Sequence, residues 1–420
     1  MRKSFTLIFT AFILISGSGV FAQVTFSGEM RPRSEYRHGF STLIAPEQEA
    51  AFFISQRSRL NLEYAGQDVK VFVSFQDIRV WGEVPQLNRS DLNSSIHEAW
   101  AEIGLGEQFA LKLGRQEVIY DNARIFGNVD WAQQARSHDL ALLKWKPSEP
   151  ASLHAGFAFN QQSERVFGTV YDLDNYKTLQ YLWFNYRLAN TALSFLFLNN
   201  GMQFQPDKTV FSQTTGLRAT RSANLFDFSG SFYYQGGKDA QNRRLNAWYL
   251  SAEALYPFHE NWTARAGFEW LSGTDETDMA TPGFDENHSF TPFYGTNHAF
   301  NGHMDYFYVG NHLNDVGLRN PYIGLNYQQN RFSLGATAHL FYADGNIMEA
   351  GDPGSTMDAF LGAELDLMAG FNLNKTISFM AGYSQMFATT SMEAIKGGSS
   401  NEVNNWAWIM LNVKPEFFRN

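Results

Sequence analysis

Residues 52–64 read FFISQRSRLNLEY, and the side chains sort by parity. Phe52, Ile54, Leu60, Leu62 and Tyr64 alternate with Ser55, Arg57, Arg59, Asn61 and Glu63. Successive residues of a β-strand point to opposite faces, so this stretch has one apolar flank and one charged flank. The same reading holds at 24–36, where Val24, Phe26, Gly28 and Met30 oppose Thr25, Ser27, Glu29, Arg31, Arg33 and Glu35. It holds at 261–271 (Trp262, Ala264, Ala266, Phe268 and Trp270 against Thr263, Arg265 and Glu269). It holds again at 360–372 (Leu361, Ala363, Leu365, Leu367 and Phe371 against Glu364, Asp366 and Asn372). These segments run about 10–13 residues, longer than strands of globular sheets and long enough to cross a bilayer at a tilt. Near residue 76 the alternation slips (Val71, Val73, Phe75, then Ile78, Val80), which predicts a β-bulge.

Connection lengths alternate too. Short turns are expected at 65–68, 104–107, 147–150, 188–191, 221–224, 256–261, 328–331 and 372–375. Longer polar stretches lie between them at 37–51, 82–95, 116–137, 161–177, 199–209, 236–244, 272–318, 343–358 and 388–403. Short periplasmic turns and long external loops are the asymmetry of outer-membrane barrels. The count predicts an all-β, transmembrane antiparallel β-barrel of about 18 strands, with both termini periplasmic. The segment from Trp406 to Val413 is placed to close the barrel against the first strand.

Composition agrees. Aromatics make up 16% of the 420 residues, yet mean hydropathy is −0.31, as suits a wall that is apolar on one face only. The chain has no cysteine, so no disulfide framework holds it. Arg2 and Lys3, the apolar run from Phe5 to Ile15 and the small-residue stretch ending Val20-Phe21-Ala22 read as a secretory signal peptide over 1–22, leaving 23–420 as one barrel domain. The signal takes two of the 32 basic residues and none of the 42 acidic ones, so the remainder carries a net charge of −12. That charge argues against nucleic acid as a partner.

A barrel of this size leaves room for an aqueous lumen, whose inward residues set selectivity. Arg31, Arg33, Arg57, Arg59, Arg79 and Arg115 cluster in the first third, with Glu29, Glu35, Glu63 and Glu102 among them. Two readings stand: an arginine track that passes anionic groups along, or a ladder of Arg–Glu pairs that stiffens the wall. Trp183, Trp248, Trp262, Trp270, Trp406 and Trp408 lie near strand ends and suit an interfacial belt. Trp81, Trp100 and Trp131 lie near charges and are the glycan-contact candidates. Residues 272–318 hold seven acids and no Lys or Arg, and read as a polar loop over the mouth. Within it His298, His303 and Asp305 are weak metal candidates. An enzyme is disfavoured, since no Gly-x-Ser-x-Gly or His-Glu-x-x-His motif occurs. Adjacent strand residues should also turn His97 from Glu98, and His138 from Asp139, onto opposite faces.

Residues 114–139 break the strand pattern with Gly114-Arg115-Gln116-Glu117, then Arg124, Gly127, Trp131, Arg136 and Asp139. With FQDIRVWGE (75–83) and HEAWAEIGL (97–105) before it, and FYGTNHAFNGHMDYF (293–307) after it, this stretch resembles the alginate-export family of outer-membrane porins. The resemblance implies a monomeric barrel of the bacterial outer membrane, without cofactor, that passes an acidic polysaccharide or oligosaccharide. It also implies an arginine-rich constriction, for which Arg79, Arg115, Arg124, Arg136 and Asp139 occupy the matching positions. Expected partners are outer-membrane lipid and an anionic glycan, with periplasmic accessory proteins left open. The alternative is a non-conducting scaffold whose long loops, 272–318 above all, bind a partner or surface.

Overall fold

The computed structural model describes residues 22–420 except Asp174, Asn297 and Val309, so the signal-peptide reading of 1–22 lies almost entirely outside the described residues. Eighteen antiparallel strands close into a barrel. They are β1 (Gln23–His38), β2 (Ala51–Ala65), β3 (Val69–Val80), β4 (Ser94–Gly104), β5 (Phe109–Gln116) and β6 (His138–Ser148). Next come β7 (Ala151–Phe159), β8 (Thr178–Leu188), β9 (Thr191–Gln205), β10 (Lys208–Ser222), β11 (Asp227–Lys238) and β12 (Arg244–His259). The last third holds β13 (Trp262–Leu271), β14 (Leu318–Gln329), β15 (Phe332–Tyr342), β16 (Phe360–Asn372), β17 (Ile377–Ala388) and β18 (Asn404–Val413). A short extension, Glu416–Arg419, continues the last strand along β1.

Closure follows the register. His38 pairs with Asn405 and Met30 with Val413, and the extension then sets Phe418 opposite Phe26. Phe417 packs on Phe26 at 5.1 Å between ring centroids. Among the described residues no strand edge is left unpaired around the ring. The start of β1 at Gln23 and the end of the extension at Arg419 lie at the end with the short turns. Among the described residues no helix is long and apolar enough to cross a membrane, so the crossing falls to the strands.

Parity works as the alternation predicts. Phe52, Leu217, Ile323 and Ile409 are exposed on the outer wall, whereas Glu29, Arg57, Glu269 and Asp366 are buried inside. Inward glycines pair across strands with large rings: Gly156 with Tyr181, Gly216 with Tyr233, Gly267 with Tyr322 and Gly382 with Trp408. At Gly156 a Cβ would come within 2.0 Å of the Tyr181 ring, so the ring occupies the space a side chain would need.

Four details depart from the sequence reading. The stretch 199–209 is no long loop: β9 and β10 run on until only residues 206 and 207 separate them. Leu361 turns inward and is fully buried, because the register slips between Phe341 and Tyr342 opposite Gly362. Trp183, Trp406 and Trp408 do not join an interfacial belt. They share parity with buried lumenal residues, while Ile409, the residue after Trp408, faces outward. The bulge expected near residue 76 lies across the ladder. Ser74 pairs with Glu98 and Phe75 with Ile96, which makes His97 on β4 the extra residue.

Candidate functional site

Two segments fold into the lumen. Residues 117–137, between β5 and β6, and residues 272–317, between β13 and β14, meet near its middle. Gly127 N–H donates to Tyr294 O and Thr296 N–H to Ala123 O, both at 2.8 Å. The Phe126 and Tyr294 rings lie 5.7 Å apart. The second segment does not cover the mouth as its polarity suggested. Phe290, Met304, Tyr306 and Val316 are buried, because the lumen here is lined with rings and backbone partners that accept them. Gln235 exchanges hydrogen bonds of 2.7 and 2.9 Å with Thr291, and Met304 N–H donates to Glu364 at 2.9 Å. The 117–137 segment is strained: Asp121, Ala123, Val129 and Ala135 all have φ between +52° and +63°. A β-branched residue such as Val129 occupies that region only when its surroundings enforce it.

The enforcement comes from the predicted arginines. Arg57, 1% exposed, donates to Glu29 at 2.8 Å and pairs with Asp130 at 2.8 Å. Arg31 reaches Gln133 at 3.0 Å and Asp130 at 3.3 Å. Arg33 binds Glu35 and the Trp131 carbonyl, and its guanidinium lies 4.0 Å from the Trp131 ring centroid. Burial would raise the Asp130 carboxyl, but Arg57 and Arg31 hold it below the ordinary range. From within the segment, Arg124 donates to Asn301 at 2.9 Å and pairs with Glu269 at 3.2 Å, and Arg136 donates to Gly295 O at 3.0 Å. Arg59 donates to Gln76 and touches neither inserted segment through an ion pair; its Nη2, like Nε of Arg57 and of Arg124, is buried without a partner among the described residues. Apart from Arg59, then, these residues tie the inserted segments to the wall or to each other, and Arg57–Glu29 is an Arg–Glu pair on neighbouring strands of the kind the ladder reading expected.

Three candidates leave the lumen. Arg115 and Asp139 pair with each other at 2.9 Å, on the parity of exposed Leu113 and Leu143. Arg79, on the parity of exposed Phe75, is bound to Asp77 and stands 3.6 Å from Asp91. All three sit at strand ends beyond the apolar band, where polar residues tolerate the outer face. Trp81 is there as well, its indole N–H donating to Gln56. Trp100 faces inward but carries Lys112 Nζ 3.8 Å from its ring centroid, and Trp131 lies between Arg33 and His298.

Arginines not singled out from the sequence face open space instead. A 230 Å³ cavity between the 272–317 segment and the wall is lined by Arg218, Glu253, Arg265, Glu269, Tyr322 and Asn301, among others. Arg265 donates to Thr337 and leaves its Nε without a partner among the described residues. Arg218 donates to Ser231 and also borders a 200 Å³ cavity with Arg187, Asp121 and Asn185. Their signal in the sequence was parity alone, since each is an isolated arginine on the polar face of its strand.

His298 bonds Asp305 at 3.2 Å, but His303 turns to Asp366 at 3.7 Å, so the three weak metal candidates do not converge. Burial lowers the His303 imidazole, with Asp366 opposing it. The bulge has the opposite effect at His97. It brings His97 and Glu98 to the same side, against the expectation of opposite faces, and places Glu117 beside them. His138 and Asp139 do diverge, the first buried on Tyr176 and the second exposed.

Comparison with known proteins sets this architecture in context. Solved structures with the same fold include OccD3 (OpdP) of Pseudomonas aeruginosa, 13% identical, with a TM-score of 0.62 over 95% of this chain and 94% of that one. OccAB4 of Acinetobacter baumannii is 11% identical, with a TM-score of 0.64 over 94% of this chain and 98% of that one. OccK9 (OpdG) of Pseudomonas aeruginosa is 12% identical, with a TM-score of 0.63 and the same coverage. At these identities the likeness speaks for the fold alone. No curated protein sequence matches the chain. The model of one family, described as alginate export, matches residues 22–405. The chain therefore belongs to the alginate-export family and is a porin of the bacterial outer membrane.

Proposed function

We propose that this porin is a passive, single-chain channel for a carboxylate-bearing solute, an acidic polysaccharide or oligosaccharide, and that it performs no chemistry on its cargo. The long loops face outward and the short turns face the periplasm. One observation carries the reading. Arg218 and Arg265 share a lumenal cavity, and among the described residues neither makes an ion pair there with a carboxylate, unlike Arg31, Arg33, Arg57 and Arg124. Guanidinium groups with spare donors in a low-dielectric passage attract carboxylates and bind them through paired hydrogen bonds. Glu253, Glu269 and the Tyr322 hydroxyl line the same cavity, so the cation charge is moderated and a bound acid can leave.

The experiment is current through planar bilayers under a salt gradient, with and without oligouronates. The reading expects anion preference and partial block by the oligouronate, both weakened in Arg218→Glu/Arg265→Glu. A cation-preferring parent, or an unchanged reversal potential in the double variant, would remove it.

A further inference from the structure

The geometry points to a divalent transition-metal site, of zinc-type chemistry, formed by His97, Glu98 and Glu117 at the root of the 117–137 segment. His97 Nε2 lies 2.8 Å from Glu117 Oε1, and one donor atom from each of the three residues falls within 4.8 Å of the others. The His97 side chain is 2% exposed and that of Glu117 19%, so the group is recessed but reachable from the lumen.

The surroundings orient the carboxylates. Glu117 N–H and Trp100 Nε1 both donate to Glu98 Oε2, at 2.9 and 3.1 Å, which leaves Oε1 open among the described residues. Asn128 donates to Glu117 Oε2 at 2.8 Å and so turns Oε1 toward His97. Groups that fix ligands in this way are the outer support of a metal centre. Zinc takes imidazole nitrogen and carboxylate oxygen at about 2.0–2.2 Å in a four-coordinate shell, so a water completes the set. Two carboxylates and a neutral imidazole balance a doubly charged cation. Calcium prefers an all-oxygen shell of six to eight ligands, which this nitrogen-containing trio does not offer.

The position gives the site a role. His97 is the residue that the bulge sets out of register on β4, and Glu117 is the first residue beyond β5. A cation bridging them fastens the entrance of the inserted segment to the wall. A hydrogen-bonded His–Glu pair does so more weakly.

The test uses the full chain, extracted in detergent, stripped by a chelator and titrated with Zn²⁺ by calorimetry, with Ca²⁺ in a parallel titration. One equivalent of Zn²⁺ should bind, with affinity falling at least tenfold in His97→Ala and in Glu117→Gln. Heat-modifiable gel migration reports that each variant is folded. If His97→Ala fails that control, Glu117→Gln, which keeps the side-chain shape, decides alone. Absence of one-to-one Zn²⁺ binding, equal affinity in the folded variants, or equal affinity for Ca²⁺ would overturn the assignment.

Discussion

Replacing Arg57 by methionine keeps most of the stem and removes the guanidinium, which tests how the 117–137 segment is held. Arg57 is 1% exposed and bound to both Glu29 and Asp130 at 2.8 Å. Removing one partner of a buried pair leaves an uncompensated charge, at a cost of about 3–5 kcal/mol. Two features place this case at the low end. The Asp130 side chain is 47% exposed to lumenal water, and Lys414 stands 3.7 Å from Glu29. A loss of about 3 kcal/mol corresponds to roughly a hundredfold increase in the population with the segment displaced. In single-channel recordings, rare excursions of the parent to a higher conductance should become frequent in the variant. Glu29→Gln added to Arg57→Met should recover part of the loss, because the stranded carboxylate is then neutral. A folded Arg57→Met channel with the conductance and noise of the parent would refute the role assigned to this arginine.

Other outcomes follow from the same geometry. Arg115→Glu should leave ion selectivity within error of the parent, because its partner Asp139 and its own parity place it outside the lumen; a shifted reversal potential would return it to the pore. Gly295→Ala puts a Cβ within 2.1 Å of Arg124 O, where the two inserted segments meet, so conductance should become noisier while heat-modifiability is retained. Asp130 has a carboxyl held below its ordinary value of about 4, so its contribution to docking is full above that value and is lost as pH falls through the lowered one. Noise should therefore be flat from about pH 7 to pH 5 and rise below about pH 4. Asp130→Asn should show that noise at every pH, and an unaltered acid response in that variant would exclude Asp130 as the group responsible.

The wall was legible because period two is a local signal: Phe52 and Arg57 declare their faces to any reader of thirteen residues. The strand count survived the misreading of 199–209, since a turn was expected there in any case and only its length was wrong. What the alternation could not carry is depth. Polar residues tolerate the outer face at strand ends, so Arg79, Arg115 and Asp139 look like pore residues until the register sets them outside. Nor could it separate a cation with a carboxylate across the strand from one without. Arg57 and Arg265 both stand on polar faces, yet one meets Glu29 and Asp130 and the other meets open space. The interior fill was least legible. Trp406 and Trp408 follow the alternation faithfully, and nothing local says that this strand has its rings on the wet side because an inserted segment waits for them. The bulge at His97 was half visible, as a slip of phase on the neighbouring strand.

Those two indoles tie closure of the barrel to the seating of the 117–137 segment. The strand that bears them is the final one in the chain, and they pack edge-on against Trp131 at 5.6 and 4.7 Å. Until the C-terminal strand zips onto the N-terminal one, the inserted segment lacks part of its seat. Sealing the cylinder thus completes a seat whose other ties, from Arg31, Arg33 and Arg57, lie on the first two strands.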